Sequence, residues 1–206
     1  MFVLLHIWKK AFDVKPKIHN IKGKLDESIR IAFLGNTIVL FTVLLSSWSG
    51  HLNAMSVFHG LIVVNAEWAA RLVLIGDDEV KRAFRFTMGH EMTHQSGDYM
   101  FLEAFTRDRK FVNWVNEVHA DYGGAILAFD GNINDALSAV RYKAKDFSED
   151  KDHQTHPSWK RREDYLKVGA FDIDLIKGIA NEVRCSNNAL IDKVCKHFEP
   201  IVLKED

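Results

Sequence analysis

Ten histidines occur in the 206 residues, and two of them, His90 and His94, stand four apart in the stretch "TMGHEMTHQSGDY", Thr87 to Tyr99. On a helix that spacing sets both imidazoles on one face, one turn apart. Both can then reach one zinc ion at about 2.0–2.1 Å. Glu91, beside His90, projects around the edge of that face. It is poorly placed to ligate with the two histidines but well placed to reach a water on the metal. Zinc lowers the pKa of such a water to about 7, and a carboxylate can take its proton. Five residues thus supply metal ligands, an activated water and a general base. Two surface histidines on a helix are the bland alternative.

A catalytic zinc site needs a third protein ligand. A metzincin would place a histidine where this chain has Met100, three beyond Gly97, and thioether is a poor zinc ligand. Glu103, nine residues past His94, would need a tight reversal. The segment "NEVHADYGG" offers more: Glu117 and Asp121 are four apart and share a face if the segment is helical. A helix crossing the first would bring Glu117 to the metal, and Asp121 would accept the free ring N–H of a ligating histidine. A solvated acidic face is the competing interpretation. His119, two residues from Glu117, points elsewhere and is given no role.

"HEMTH" followed by "NEVHADYGG" resembles the gluzincin metallopeptidases, and within them the family of the CAAX prenyl endoprotease and the bacterial heat-shock membrane protease. Two more segments resemble that family in its order: "LNAMSVFHGLIVVN", like its Asn-Ala segment leading into the strand that edges the cleft, and "THPSWKRREDYL", like its Thr-His-Pro segment with an arginine six residues on. The four span about residues 53 to 166. The resemblance implies zinc on His90, His94 and Glu117, and Glu91 as base. It sets His156 and Arg162 beside the developing oxyanion, where positive groups favour the transition state over the substrate. It sets Asn53 beside the substrate backbone. The chain departs from the family at Phe58 and His59, where proline and glycine are usual, and in offering one candidate membrane span rather than several.

The elements that must position these residues are legible in outline. "GDDEVKRAFRFTMGHEMTHQSG" reads as a long helix, with Asp77, Asp78 and Glu79 at its positive end and Gly97 as its stop. Its buried stripe is Val80, Ala83, Phe84, Thr87 and Met88. "RKFVNWVNEVHADYGGAILAFD" reads as a second helix and "NINDALSAVRYKA" as a third. "DKDHQTHPSWKRREDYLKVGAF" reads as a polar loop entering a helix with Pro157 in its first turn. "DIDLIKGIANEVR" and "NNALIDKVCKHF" read as two more helices. Upstream, "KLDESIRIAF" reads as a short helix, "TIVLFTVLL" and "VFHGLIVVN" as strands, and "SSWSGHLNAMS" as a loop; "AEWAARLVLIG" fits helix or strand. The expected fold is α+β: mostly helical, zincin-like by resemblance, with a small sheet whose edge strand flanks the active-site helix. The expected division is one metallopeptidase domain over 1–206, with an N-terminal helix and strand (1–50), a catalytic core (51–166) and C-terminal helices (167–206).

Twenty-seven basic against 28 acidic residues give a net charge of -1, so nothing calls for nucleic acid as a partner. The expected partner is a peptide or protein substrate. Ile31 to Trp48 is 18 residues without a charge, roughly 27 Å as a helix. Its β-branched content favours a buried helix end and strand, and a cytoplasmic protein, over a membrane span across 31–48. Cys185 and Cys195 read as free thiols, with a bridge between two helices as the alternative. The leading function is hydrolysis of peptide bonds by a zinc-bound water activated by Glu91, with one Zn²⁺ as cofactor. The alternative is a non-catalytic or latent zinc-stabilised domain that binds peptides or regulates.

Overall fold

The computed structural model describes residues 42–46, 54–58, 61–65, 77–99, 108–145 and 150–205. Asn53, Glu103 and the segments "KLDESIRIAF" and "AEWAARLVLIG" lie outside them.

Among the described residues, three strands come first: β1 (Thr42–Ser46), β2 (Ala54–Phe58) and β3 (Leu61–Asn65). Their order is β1-β3-β2, with β3 parallel to β1 and antiparallel to β2. Two expectations change here. The run from Val57 to Asn65 is two strands rather than one, with the β2–β3 register shifting between Ser56 and Phe58. The strand beginning at Leu61 is also central, since its backbone groups are taken by both neighbours; the edge that packs against the histidine helix is β2. Ala54–Ser56 falls in the stretch whose Asn and Ser content predicts a loop; pairing with β3 overrides that local preference.

Six described helices follow: α1 (Asp78–Gly97), α2 (Arg109–Phe129), α3 (Ile133–Ala144), α4 (Trp159–Lys167), α5 (Ile173–Glu182) and α6 (Asn188–His197). Together with the sheet they make a mostly helical α+β fold. Local chemistry sets their ends. The Asp77 carboxylate accepts from the Val80 N–H at 2.7 Å, and Asn132, Ser158, Asp172 and Asn187 cap four other helices in the same way. Asp130 (φ 52°) and Gly131 (φ 87°) end α2 in the left-handed region, and their N–H groups return to the carbonyls of Ile126 and Ala125. Pro157 lies one residue before the Ser158 cap rather than in the first turn of α4. The Asp150 carboxylate helps fix that start by accepting from the N–H groups of Trp159 and Lys160.

Residues 86–93 of α1 are all buried, so this helix is covered on every side rather than along one stripe. The apolar core lies around α2: Phe86 of α1, Phe111, Trp114, Val118 and Tyr122 of α2, Val140 of α3, Leu166 of α4, and Ile179 and Val194 of α5 and α6 are all 0–1% exposed. A short ribbon unforeseen in the sequence, β4 (Ala170–Phe171) with β5 (Ile201–Val202), ties the C-terminal segment to the end of α4. At two residues each, these strands are too short for alternation to register. Both cysteines are free. No described helix is long and apolar enough to cross a membrane, and Thr42–Ser46, inside the stretch weighed as a span, is a β-strand.

Candidate metal centre

Close crossing of α1 and α2 builds the site, and glycine permits it. A Cβ on Gly124 would lie 3.0 Å from the Phe86 carbonyl oxygen and 3.1 Å from the His90 nitrogen. A Cβ on Gly123 would lie 2.2 Å from the Thr93 hydroxyl, and one on Gly89 3.0 Å from the Gly124 Cα. With no side chain between them the two backbones meet, and Glu117, two turns before Gly124, comes within reach of the histidines.

His90, His94 and Glu117 form a group able to hold a metal ion. The two Nε2 atoms are 3.0 Å apart; Glu117 Oε2 is 3.4 Å from His90 Nε2, and Oε1 is 3.5 Å from His94 Nε2. All three residues are buried or nearly so: His90 is 6% and Glu117 9% exposed. Each imidazole has a carboxylate at its other nitrogen. His90 Nδ1 is 2.9 Å from Asp121 Oδ1, and His94 Nδ1 is 2.7 Å from Asp98 Oδ1. With the ring protons on Nδ1, donated to those carboxylates, both Nε2 atoms carry lone pairs. Two lone pairs and a carboxylate then face one another with no proton among them. Glu117 Oε2 is buried without a hydrogen-bond partner. Such a gathering of acceptors calls for a cation, and the residues fit one.

Without the ion, protons serve instead. Burial pushes the pKa of His94 down, but Asp98 and Glu117 outweigh it and hold the imidazole well above its usual range; His90 is raised by Asp121 and Glu117 against the same opposing burial. Burial pushes the Glu117 carboxyl up, and the two imidazoles more than reverse this, leaving it well below the usual range.

Asp121 lies one turn beyond Glu117 and orients His90, as its spacing implied. Arg162 from α4 is buried at 6% and grips the same carboxylate, with Nε 2.8 Å from Oδ2 and Nη2 on Oδ1. Its Nη1 is 3.9 Å from Glu117 Oε2, and it stacks over Trp159 at 4.2 Å. Arg162 thus stands behind the ligands, on Asp121. His156 stands on the solvent side: more than half of its side chain is exposed, its Nε2 is 3.4 Å from Glu117 Oε1 and its Nδ1 is 2.7 Å from the Thr155 hydroxyl. The loop carrying it is fastened by the indole N–H of Trp114, which donates to the His153 carbonyl, and by a backbone bond from His153 N–H to the His156 carbonyl. Glu91 follows His90 in α1, is 6% exposed, and is near enough to Arg162 to favour its charge.

Sequence reasoning passed over Asp98. Its signal was present: an acidic residue four positions past His94, immediately after the glycine that ends the helix. Comparison of the chain with protein-family models, with curated proteins and with solved structures returns no match.

Proposed function

We propose that the chain is a zinc-dependent peptidase of gluzincin type with a zincin-like fold. The observation that carries this reading is the convergence of His90, His94 and Glu117, each histidine backed by its own carboxylate, with Glu91 adjacent on the same helix. Two ligands about 2.0–2.2 Å from one tetrahedral ion lie roughly 3.3–3.5 Å apart. Here the two nitrogens are 3.0 Å apart, Glu117 approaches them through different oxygens (Oε2 at 3.4 Å, Oε1 at 3.5 Å), and one ligand atom from each residue lies within 4.8 Å of the other two. Two nitrogens and one carboxylate oxygen form a donor set found in catalytic zinc sites. The resemblance of "HEMTH", "NEVHADYGG" and "THPSWKRREDYL" to the prenyl endoprotease and heat-shock protease family supports the same reading.

When bound, zinc supplies Lewis acidity toward a carbonyl and lowers the pKa of water. The protein does the rest. Glu91 takes the proton of the attacking water and returns it to the leaving amine. An extended peptide has the edge strand β2, rather than the central β3, as its backbone partner. His156, exposed beside Glu117, is the donor available to a developing oxyanion. Arg162 acts through Asp121, holding that carboxylate ionised: burial raises the Asp121 pKa, and the guanidinium more than offsets it.

One observation favours the second reading, a latent zinc-stabilised domain. His156 Nε2 lies 3.4 Å from Glu117 Oε1, on the solvent side of the ligand group but not within it, where its ring can cover the open position of the ion. Zinc content and proteolysis of an unstructured substrate such as casein separate the two readings. Glu91→Gln should keep one zinc and lose activity by at least about 100-fold. His156→Ala should lower activity if the residue stabilises the oxyanion and raise it if the residue closes the site. Absence of zinc from the wild-type chain would overturn both.

A further inference from the structure

The end of α1 is held from three sides, and the hold converges on Asp98. Asp98 is the first residue past the helix, with extended backbone (φ -61°, ψ 136°), and its carboxylate lies 2.7 Å from His94 Nδ1. Before it, the Gly97 carbonyl accepts from His197 Nε2 at 3.0 Å, a bond that spans 100 positions of sequence. After it, both backbone groups of Tyr99 are engaged by Asn116: its Oδ1 accepts from the Tyr99 N–H at 2.9 Å, and its Nδ2 donates to the Tyr99 carbonyl at 3.4 Å. The third side is steric. A Cβ on Gly97 would lie 2.6 Å from His119 Cε1, so the His119 ring packs directly on the glycine. His119 in turn lies against Phe171 and Phe198, with ring centroids at 5.2 and 4.5 Å, and the Tyr99 and His197 rings meet edge to face at 5.1 Å.

We infer that Asp98 is a positioning residue for the ligand His94, and that the C-terminal helix α6, through His197, holds Asp98 in place. The inference rests on the metal-site reading above. A carboxylate at Nδ1 fixes the tautomer and the ring orientation of a ligating histidine. A residue just beyond a helix end can do so only if its backbone is restrained, since chain ends past a final turn fray easily. Asn116 and His197 supply that restraint from two other helices. Asn116 immediately precedes Glu117, so one turn of α2 both presents a ligand and anchors the segment that orients another.

The experiment measures zinc affinity of the full-length chain by competition with a chelator, together with the visible d–d band of its cobalt form, which reports ligand geometry. Asp98→Ala should weaken zinc by about 10- to 100-fold. Asp98→Asn, whose carbonyl still accepts the Nδ1 proton, should weaken it less. His197→Ala should weaken zinc by roughly 2- to 10-fold, one hydrogen bond's worth. His197→Gln, which can still donate to the Gly97 carbonyl, should recover most of that loss. Each variant should shift the cobalt band in proportion. If wild type takes up one zinc and these variants match it in affinity and band, the inference is wrong while the metal site stands. A loss in His197→Ala that His197→Gln does not recover also counts against it. If wild type takes up no zinc, the metal-site reading fails and this inference falls with it.

Discussion

The two histidines stand one turn apart on one helix, with rings 4.6 Å apart and nearly perpendicular, yet their surroundings differ. Behind His90 is a closed chain of charge. Asp121, 1% exposed, bonds both the imidazole and the guanidinium of Arg162, and Trp159 covers the arginine. Behind His94, among the described residues, is Asp98, its side chain 23% exposed, in a chain segment held by contacts at Gly97 and Tyr99. The inner half is buried and compensated, so its parts depend on one another. The outer half is wetter, and its geometry depends on how well a chain end is tethered. Buried charge is costly to leave unpaired, whereas exposed charge is not. One histidine is therefore tied to a buried, compensated charge pair, and the other to a restrained chain end.

The largest effect that separates the halves is on stability. Asp121→Ala leaves the Arg162 guanidinium buried without its two-point partner and should cost about 3–5 kcal/mol. Asp98→Ala in the metal-free chain removes a bond to the charged His94 and, part-exposed, should cost less, about 1–2 kcal/mol. Urea unfolding of the metal-free proteins measures both, and equal losses would erase the distinction. Next comes the crossing on which both halves depend. Gly124→Ala must push apart backbone atoms now 3.0 to 3.1 Å from the new Cβ, which should cost about 1–3 kcal/mol and weaken zinc as well. If zinc affinity were untouched, the site would tolerate more helix separation than its geometry implies.

The smallest effect concerns pH. Both imidazoles are raised in the metal-free chain, His94 the more strongly. A raised histidine contributes stability below its unfolded pKa of about 6.5, and that contribution fades as pH rises through the folded value. Zinc requires both rings deprotonated at Nε2, so its stabilisation runs the other way and grows as the protons leave. The zinc-induced rise in melting temperature should increase from pH 6 to pH 8. Asp98→Asn should move that increase to lower pH by making the outer proton easier to lose. Thermal melts with and without zinc across this range test it.

Much of the site was legible because its parts are local. His90, Glu91 and His94 lie within five residues, and Glu117 and Asp121 within five more, so helical periodicity alone predicted which side chains share a face. The Asp77 start of α1 follows from capping chemistry, whereas Gly97 is the last residue of the helix and Asp98 leaves it in extended backbone, without a left-handed glycine turn. Arg162 was named from a motif, yet its partner was not, because 41 positions separate it from Asp121 and no local rule links them. The β2 edge was hidden by turn-forming residues that strand pairing overrode. Asn53, expected beside a substrate, lies outside the described residues.

The sequence by itself determined the residue types of the candidate site and their helical spacing, since these follow from residue identity and a period of 3.6. Only the tertiary structure decided that Glu117 meets the two histidines, that Arg162 stands behind Asp121, and that the C-terminal helix reaches the end of α1. Those outcomes depend on how closely α1 and α2 approach and on what packs around them. Glycines 89, 123 and 124 permit that approach, but only the packed core turns permission into contact.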